Sequence, residues 1–212
     1  MVRVPRVHRN PLHEEASRQR GAGNGVVFTS FKNIYSLATL NESGQSAFLA
    51  EITGPGIDTT NNTGVWTGYT GALTKMVQTS APAPGTETDT VFATILSTPV
   101  LTPTGQTIID ALLAGPSIND TNDHGIWKAD INGLTKVIRT GEPAPGLPAG
   151  VVFNTFGRPR SNASGDVAFL GGIEGPGVTD VLSDGNGFWS QGGGQLQFFA
   201  RRRPAGDHRR TA

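Results

Sequence analysis

The sequence predicts an all-β chain, a partial β-propeller of three four-stranded antiparallel blades with about 61 residues per repeat. Three observations carry this expectation. The pattern N-x-x-G-x-x-A-F stands at Asn41 to Phe48 and at Asn162 to Phe169, with a degenerate copy, TPTGQTII, at Thr102 to Ile109. Its glycines, Gly44, Gly105 and Gly165, are 61 and 60 residues apart, a period that marks tandem copies of one folded unit. Other landmarks keep the same phase: Gly64-Val65-Trp66, Gly125-Ile126-Trp127 and Gly187-Phe188-Trp189, then Leu73, Leu134 and Leu196, then the APAPG and EPAPG segments ending at Gly85 and Gly146. Finally, 29 glycines and 14 prolines in 212 residues supply the turns that many short strands need.

Within a copy, strands are expected at about 33–40, 45–52, 64–69 and 72–79, repeated with the period. The second strand alternates: Phe48, Ala50 and Ile52 share one face, as do Ile109, Ala111 and Leu113, and Phe169, Gly171 and Ile173. The opposite face is mixed, with Ala47, Leu49 and Glu51 or Ile108, Asp110 and Leu112, the pattern of a sheet lying between two neighbours. Before this strand, Asn41 or Asn162 can bond backbone amides two residues on, and the glycine accepts a left-handed conformation. The N-x-x-G signature is thus explained by a hairpin alone. A second hairpin follows each tryptophan strand, at Thr70-Gly71, at Asn132-Gly133 as a type I′ turn, and at Gly193-Gly194. Trp66, Trp127 and Trp189 are expected to pack between blades rather than form a ligand platform. Three copies span about 25–88, 89–149 and 150–206, flanked by disordered basic tails at 1–24 and 207–212.

The formal charge is zero, yet ten of the 17 basic residues are arginines within 1–24 and 201–212, leaving an acidic body with basic ends. Neither end interleaves arginine with the aromatics of a stacking platform, so no nucleic-acid partner is expected. No apolar run is long enough to span a membrane. The absence of cysteine excludes disulfides and cysteine-ligated metal. The first 20 residues lack the apolar stretch of a secretory signal, and the arginine-rich start and end read as truncated or frame-shifted sequence.

The N-x-x-G-x-x-A-F signature, with the G-x-W and PAPG elements, resembles the bacterial family described as choice-of-anchor tandem repeat NxxGxxAF-containing proteins. The resemblance covers about residues 25–206. It implies a secreted or cell-surface protein of the kind that carries a signal peptide and a C-terminal sorting signal such as PEP-CTERM. It brings no established activity and therefore no catalytic residue.

Candidate chemistry is sparse. The loop before each tryptophan strand is rich in Asp and Asn, and in the middle copy Asp120, Asn122 and His124 before Gly125 fall at the spacing of an EF-hand-like calcium loop, with Asp123 beside them. Histidine there replaces an oxygen ligand, and Ile131 stands where the loop's glutamate belongs. Asp120, Asn122 and Asp123 are the candidate metal residues, calcium the one candidate cofactor, and a solvated turn the competing reading. Ser183 to Trp189 faintly matches the Asp-box of sialidase propellers, but the body's only arginines, Arg139, Arg158 and Arg160, make a poor carboxylate-binding cluster. No zincin, nucleophile-elbow, phosphate-loop or dinucleotide motif appears. Asn41, Asn61, Asn119 and Asn162 head glycosylation sequons whose letters also arise from turn chemistry. Two functions follow: a non-catalytic exported or surface module acting as scaffold or binding protein, and a polysaccharide-active, sialidase- or glycosidase-like propeller enzyme. Three blades do not close a ring, so self-association through exposed blade faces is expected, for instance the side carrying Phe169 and Ile173.

Overall fold

A computed structural model describes residues 21–23, 25–31, 39–179 and 184–202. Among these residues there is no helix, and the chain forms three antiparallel sheets in sequence order. The first holds β1 (Gly21–Gly23), β2 (Val26–Phe31), β3 (Thr39–Leu40), β4 (Ser46–Thr53), β5 (Thr63–Tyr69) and β6 (Ala72–Gln78). The second holds β7 (Val91–Ile95), β8 (Val100–Leu101), β9 (Thr107–Ala114), β10 (His124–Asp130) and β11 (Gly133–Arg139). The third holds β12 (Val152–Phe156), β13 (Arg160–Ser161), β14 (Val167–Glu174), β15 (Asn186–Ser190) and β16 (Gln197–Arg201). Each contains a four-stranded meander, a blade, whose first strand is broken in two, and in the first sheet β1 adds a further strand beside β2.

That break corrects the expected first strand. In the second blade β7 and β8 both pair with β9, and in the third β12 and β13 both pair with β14. Pro99 and Pro159 precede the short pieces β8 and β13 and offer no N–H to a ladder, which favours the interruption in those two blades, while Ala38 holds that place in the sequence of the first. In the first blade, 33–38 of the expected 33–40 lies outside the described residues, and β2 begins the blade earlier, at Val26.

The N-x-x-G turns have the expected left-handed glycine, with φ of 79°, 86° and 81° at Gly44, Gly105 and Gly165, while the expected bond to an amide two residues on is made at Asn162 and one to the amide four residues on at Asn41 and Thr102. Asn41 Oδ1 accepts the Gln45 amide and Asn162 Oδ1 accepts those of Ser164 and Asp166, while Thr102 Oγ1 does the same for Gln106. The hairpin alone, however, does not exhaust the motif. Asn41 Nδ2 also donates to the Thr102 carbonyl at 3.1 Å, tying the first turn to the second. A Cβ on Gly105 would stand 2.9 Å from Gln45 Oε1, so the glycine also leaves room for the preceding blade's glutamine. The turn at Asn132-Gly133 departs from type I′, because Asn132 keeps a negative φ and only Gly133, at 128°, is positive. Asp130 Oδ1 accepts the Asn132 amide instead and closes an Asx turn.

Strand alternation sets the packing. Call face A the side bearing the tryptophan, and face B the other. Face B of the first blade, with Leu49, Val65 and Val77, packs on face A of the second, with Phe92, Ile109 and Trp127, in one buried cluster. Face B of the second, with Ile108, Ile126 and Ile138, packs on face A of the third, with Phe153, Phe169 and Trp189. The blades therefore stack head to tail. Within each blade the first-strand phenylalanine meets the tryptophan edge to face, with centroids 5.0, 4.9 and 4.7 Å apart for Phe28–Trp66, Phe92–Trp127 and Phe153–Trp189. Glycine precedes each G-x-W tryptophan by two because the indole folds back over it: a Cβ on Gly125 would lie 2.6 Å from the Trp127 ring.

One expectation is overturned here. Phe169 and Ile173 are buried, 2% and 1% exposed, under the second blade. The third blade's open side is its face B, where Leu170 and Phe188 are 38% and 55% exposed. Alternation along a strand distinguishes its two faces without saying which neighbour covers each.

Candidate functional site

The PAPG segments are couplings between blades. Pro82 and Pro143 bridge Val91 and Val152 at the start of the next blade, and Ala83 and Ala144 donate their amides to Thr90 and Val151. The carbonyls of Pro84 and Pro145 then accept the indole N–H of Trp127 and Trp189 at 3.1 and 3.0 Å. Each buried tryptophan of the second and third blades thereby satisfies its donor on the blade before it. Trp66 is equally buried, yet its Nε1 has no acceptor among the described residues.

The Asp/Asn loops repeat one hydrogen-bond pattern. In the first blade Asp58 Oδ1 accepts the Thr60 amide and hydroxyl, Asn61 Oδ1 accepts the Asp58 amide, and Asn61 Nδ2 donates to the Gly56 carbonyl. In the second, Asn119, Thr121, Asn122 and Ser117 make the same four bonds. The Thr60 bonds hold the Asp58 carboxyl below its ordinary range. In the third blade Asp184 accepts from the Thr179 amide and hydroxyl, and Arg201 grips its carboxylate at 2.8 Å. The remainder of that loop, from Asp180 to Ser183 with the start of the Asp-box resemblance, lies outside the described residues.

These bonds locate the candidate metal residues. Asp120 is exposed at the loop tip, Asp123 is half-buried, and Asn122 has both ends of its carboxamide engaged within the turn. His124 belongs to β10 and turns away from the loop, with Nε2 2.6 Å from Asp110 Oδ1 and its ring 5.3 Å from that of Phe156. Among the described residues no three His, Asp or Glu side chains are grouped to hold a metal ion.

Four contacts between titratable side chains carry no motif in the sequence: Asp184–Arg201, described above, Lys136–Glu142, and the two that follow. Asp110, only 5% exposed, joins His124 on face B of the second blade. Comparing the repeats does carry a signal for it: Asp110 replaces Leu49 and Leu170, and His124 replaces Thr63 and Asn186, so both polar changes fall in one blade. The other pair joins blades. Arg139 of β11 grips Glu87, in the segment after the first PAPG, through both guanidinium nitrogens at 2.5 and 2.8 Å. Those bonds hold the Glu87 carboxyl down at about 2 and raise Arg139 above its ordinary value. Lys136 also pairs with Glu142. These charged groups serve the packing of blades and loops.

With this geometry in place, comparison with known proteins adds one finding. Residues 8–206 match the model of a family of unknown function, DUF7453. The chain belongs to that family. No curated protein and no solved structure matches it. The match spans all three blades.

Proposed function

We propose that this DUF7453 protein is a non-catalytic repeat module, exported or displayed at the cell surface, that acts as a scaffold or binding surface through the loops joining its strands. The observation carrying this reading is the reuse of the same four hydrogen bonds in the loops at Asp58–Asn61 and Asn119–Asn122, which assigns their polar side chains to turn architecture. The pairs Asp110–His124, Glu87–Arg139 and Asp184–Arg201 likewise hold these six side chains in structural contacts. Acid–base catalysis needs a group free to exchange its proton with a substrate. The surface location rests on the resemblance of the repeat signature to choice-of-anchor proteins. At the candidate residues Asp120, Asn122 and Asp123 the Asn122 carboxamide is already engaged within the turn, and the module is read as working without a calcium ion.

The test is a panel of glycosidase, esterase and peptidase substrates with the full chain, beside a polysaccharide-binding array and antibody labelling of intact producing cells. The proposal expects surface labelling and no turnover. Turnover that disappears in Asp120→Asn, an exposed position, would overturn the non-catalytic reading, and labelling only after lysis would overturn the surface location.

A further inference from the structure

We infer that two copies of this chain associate head to tail, face B of one copy's third blade covering face A of the other's first, to close a ring of six blades. Face A of the first blade carries Phe28, Phe31, Phe48 and Trp66. Its equivalents in the second and third blades are buried by the face B before them: Ile95 and Phe156, which hold the register of Phe31, are 5% and 7% exposed, whereas Phe31 is 64% exposed. Trp66 supplies an independent sign. Among the described residues its Nε1 finds no acceptor, where Trp127 and Trp189 bond a carbonyl of the preceding blade, although the Trp66 ring, like Ala50 and Ile52 beside it, is already buried within the chain.

The matching surface is on the same molecule. Leu170, Phe188 and Ala200 occupy the register of Leu49, Val65 and Val77, the buried triad of the first blade's face B, and all three are exposed. Two internal interfaces show what covers each face, and the two open faces are the two halves of a third. Such a surface pairs with a second copy in a heterologous contact, which yields a ring when the rotation closes. Two copies bring together six blades, within the four to eight of closed propellers.

The experiment is light scattering of the full chain and of Phe31→Asp and Phe188→Asp, both exposed positions, with circular dichroism to confirm folding. The wild type is expected at twice 22.2 kDa, each variant alone at 22.2 kDa, and an equimolar mixture of the two at twice that mass again, because each retains the face the other lacks. A wild type that stays at 22.2 kDa at all concentrations would overturn the inference, as would a variant that still self-associates or a mixture that does not combine. Open-ended growth of the wild type would overturn ring closure.

Discussion

The three tryptophans form an internal experiment on the coupling between blades. Each is replaced by phenylalanine in the Phe188→Asp background, which removes the contact between copies. All three indoles are at most 1% exposed and pack edge to face on a phenylalanine 4.7 to 5.0 Å away, so the loss of ring volume is similar in each. The polar difference is not shared. Trp127→Phe and Trp189→Phe remove the donors of the Pro84 and Pro145 carbonyls, which lie in an exposed and a half-buried residue, at about 0.5–1.5 kcal/mol for a lost hydrogen bond. Trp66→Phe removes a donor that already lacks a partner, which relieves a cost of the same kind. Trp127→Phe should therefore lower stability more than Trp66→Phe by about 0.5–1.5 kcal/mol, a shift of roughly half a molar in the urea midpoint for a slope of about 1–3 kcal/mol per molar. The assay is urea unfolding followed by circular dichroism, with the slope compared among variants. Equal losses for all three would refute the claim that the Pro84 and Pro145 carbonyls join the blades.

Other expectations follow from the charged contacts. His124→Ala strands the buried Asp110 carboxylate and should destabilise by about 2–4 kcal/mol, while the double change with Asp110→Leu, the residue of the other two blades, should recover most of that in thermal melts. Because Glu87 is held down at about 2 from 4.5, its pairing stabilises fully above pH 4.5 and fades as pH falls toward 2. The Glu87 side chain is 44% exposed, so solvent screening limits the contribution to about 1 kcal/mol, seen as the part of the acid-induced loss missing in Glu87→Gln. Millimolar calcium should leave the melting temperature unchanged; a rise that vanishes in Asp120→Asn would show that the loop binds the ion.

The repeat made the architecture legible because periodic landmarks constrain the whole chain at once, and glycine and proline mark turns through local sterics. The alternation of Phe48, Ala50 and Ile52 separated the two faces of a strand correctly. It could not order the blades, which is why Phe169 and Ile173 were placed on an open side that they do not occupy. In the second and third blades the broken first strand depended on how Pro99 and Pro159 meet a neighbouring ladder, a tertiary fact that local propensity does not carry. For the site, the residue types of Asp120, Asn122 and His124 serve calcium loops and Asx turns alike, and Asn122 is engaged in such a turn. His124 was then claimed by Asp110, 14 residues away and on the adjacent strand.

Head-to-tail stacking is tested most directly by disulfide trapping, which is clean in a chain with no cysteine. A Cβ on Gly85 would lie 3.1 Å from that of Lys136, and one on Gly146 would lie 2.6 Å from that of Phe198, so a separation of up to about 1 Å, with cysteine accepting φ near 80°, reaches the roughly 3.5–4.5 Å of a disulfide. The account predicts an intramolecular disulfide in Gly85→Cys/Lys136→Cys and in Gly146→Cys/Phe198→Cys under mild oxidation, read by peptide mass. It predicts none within the chain in Gly85→Cys/Phe198→Cys. Trapping of that mixed pair as readily as the matched pairs, or no trapping of either matched pair, would contradict the stacking.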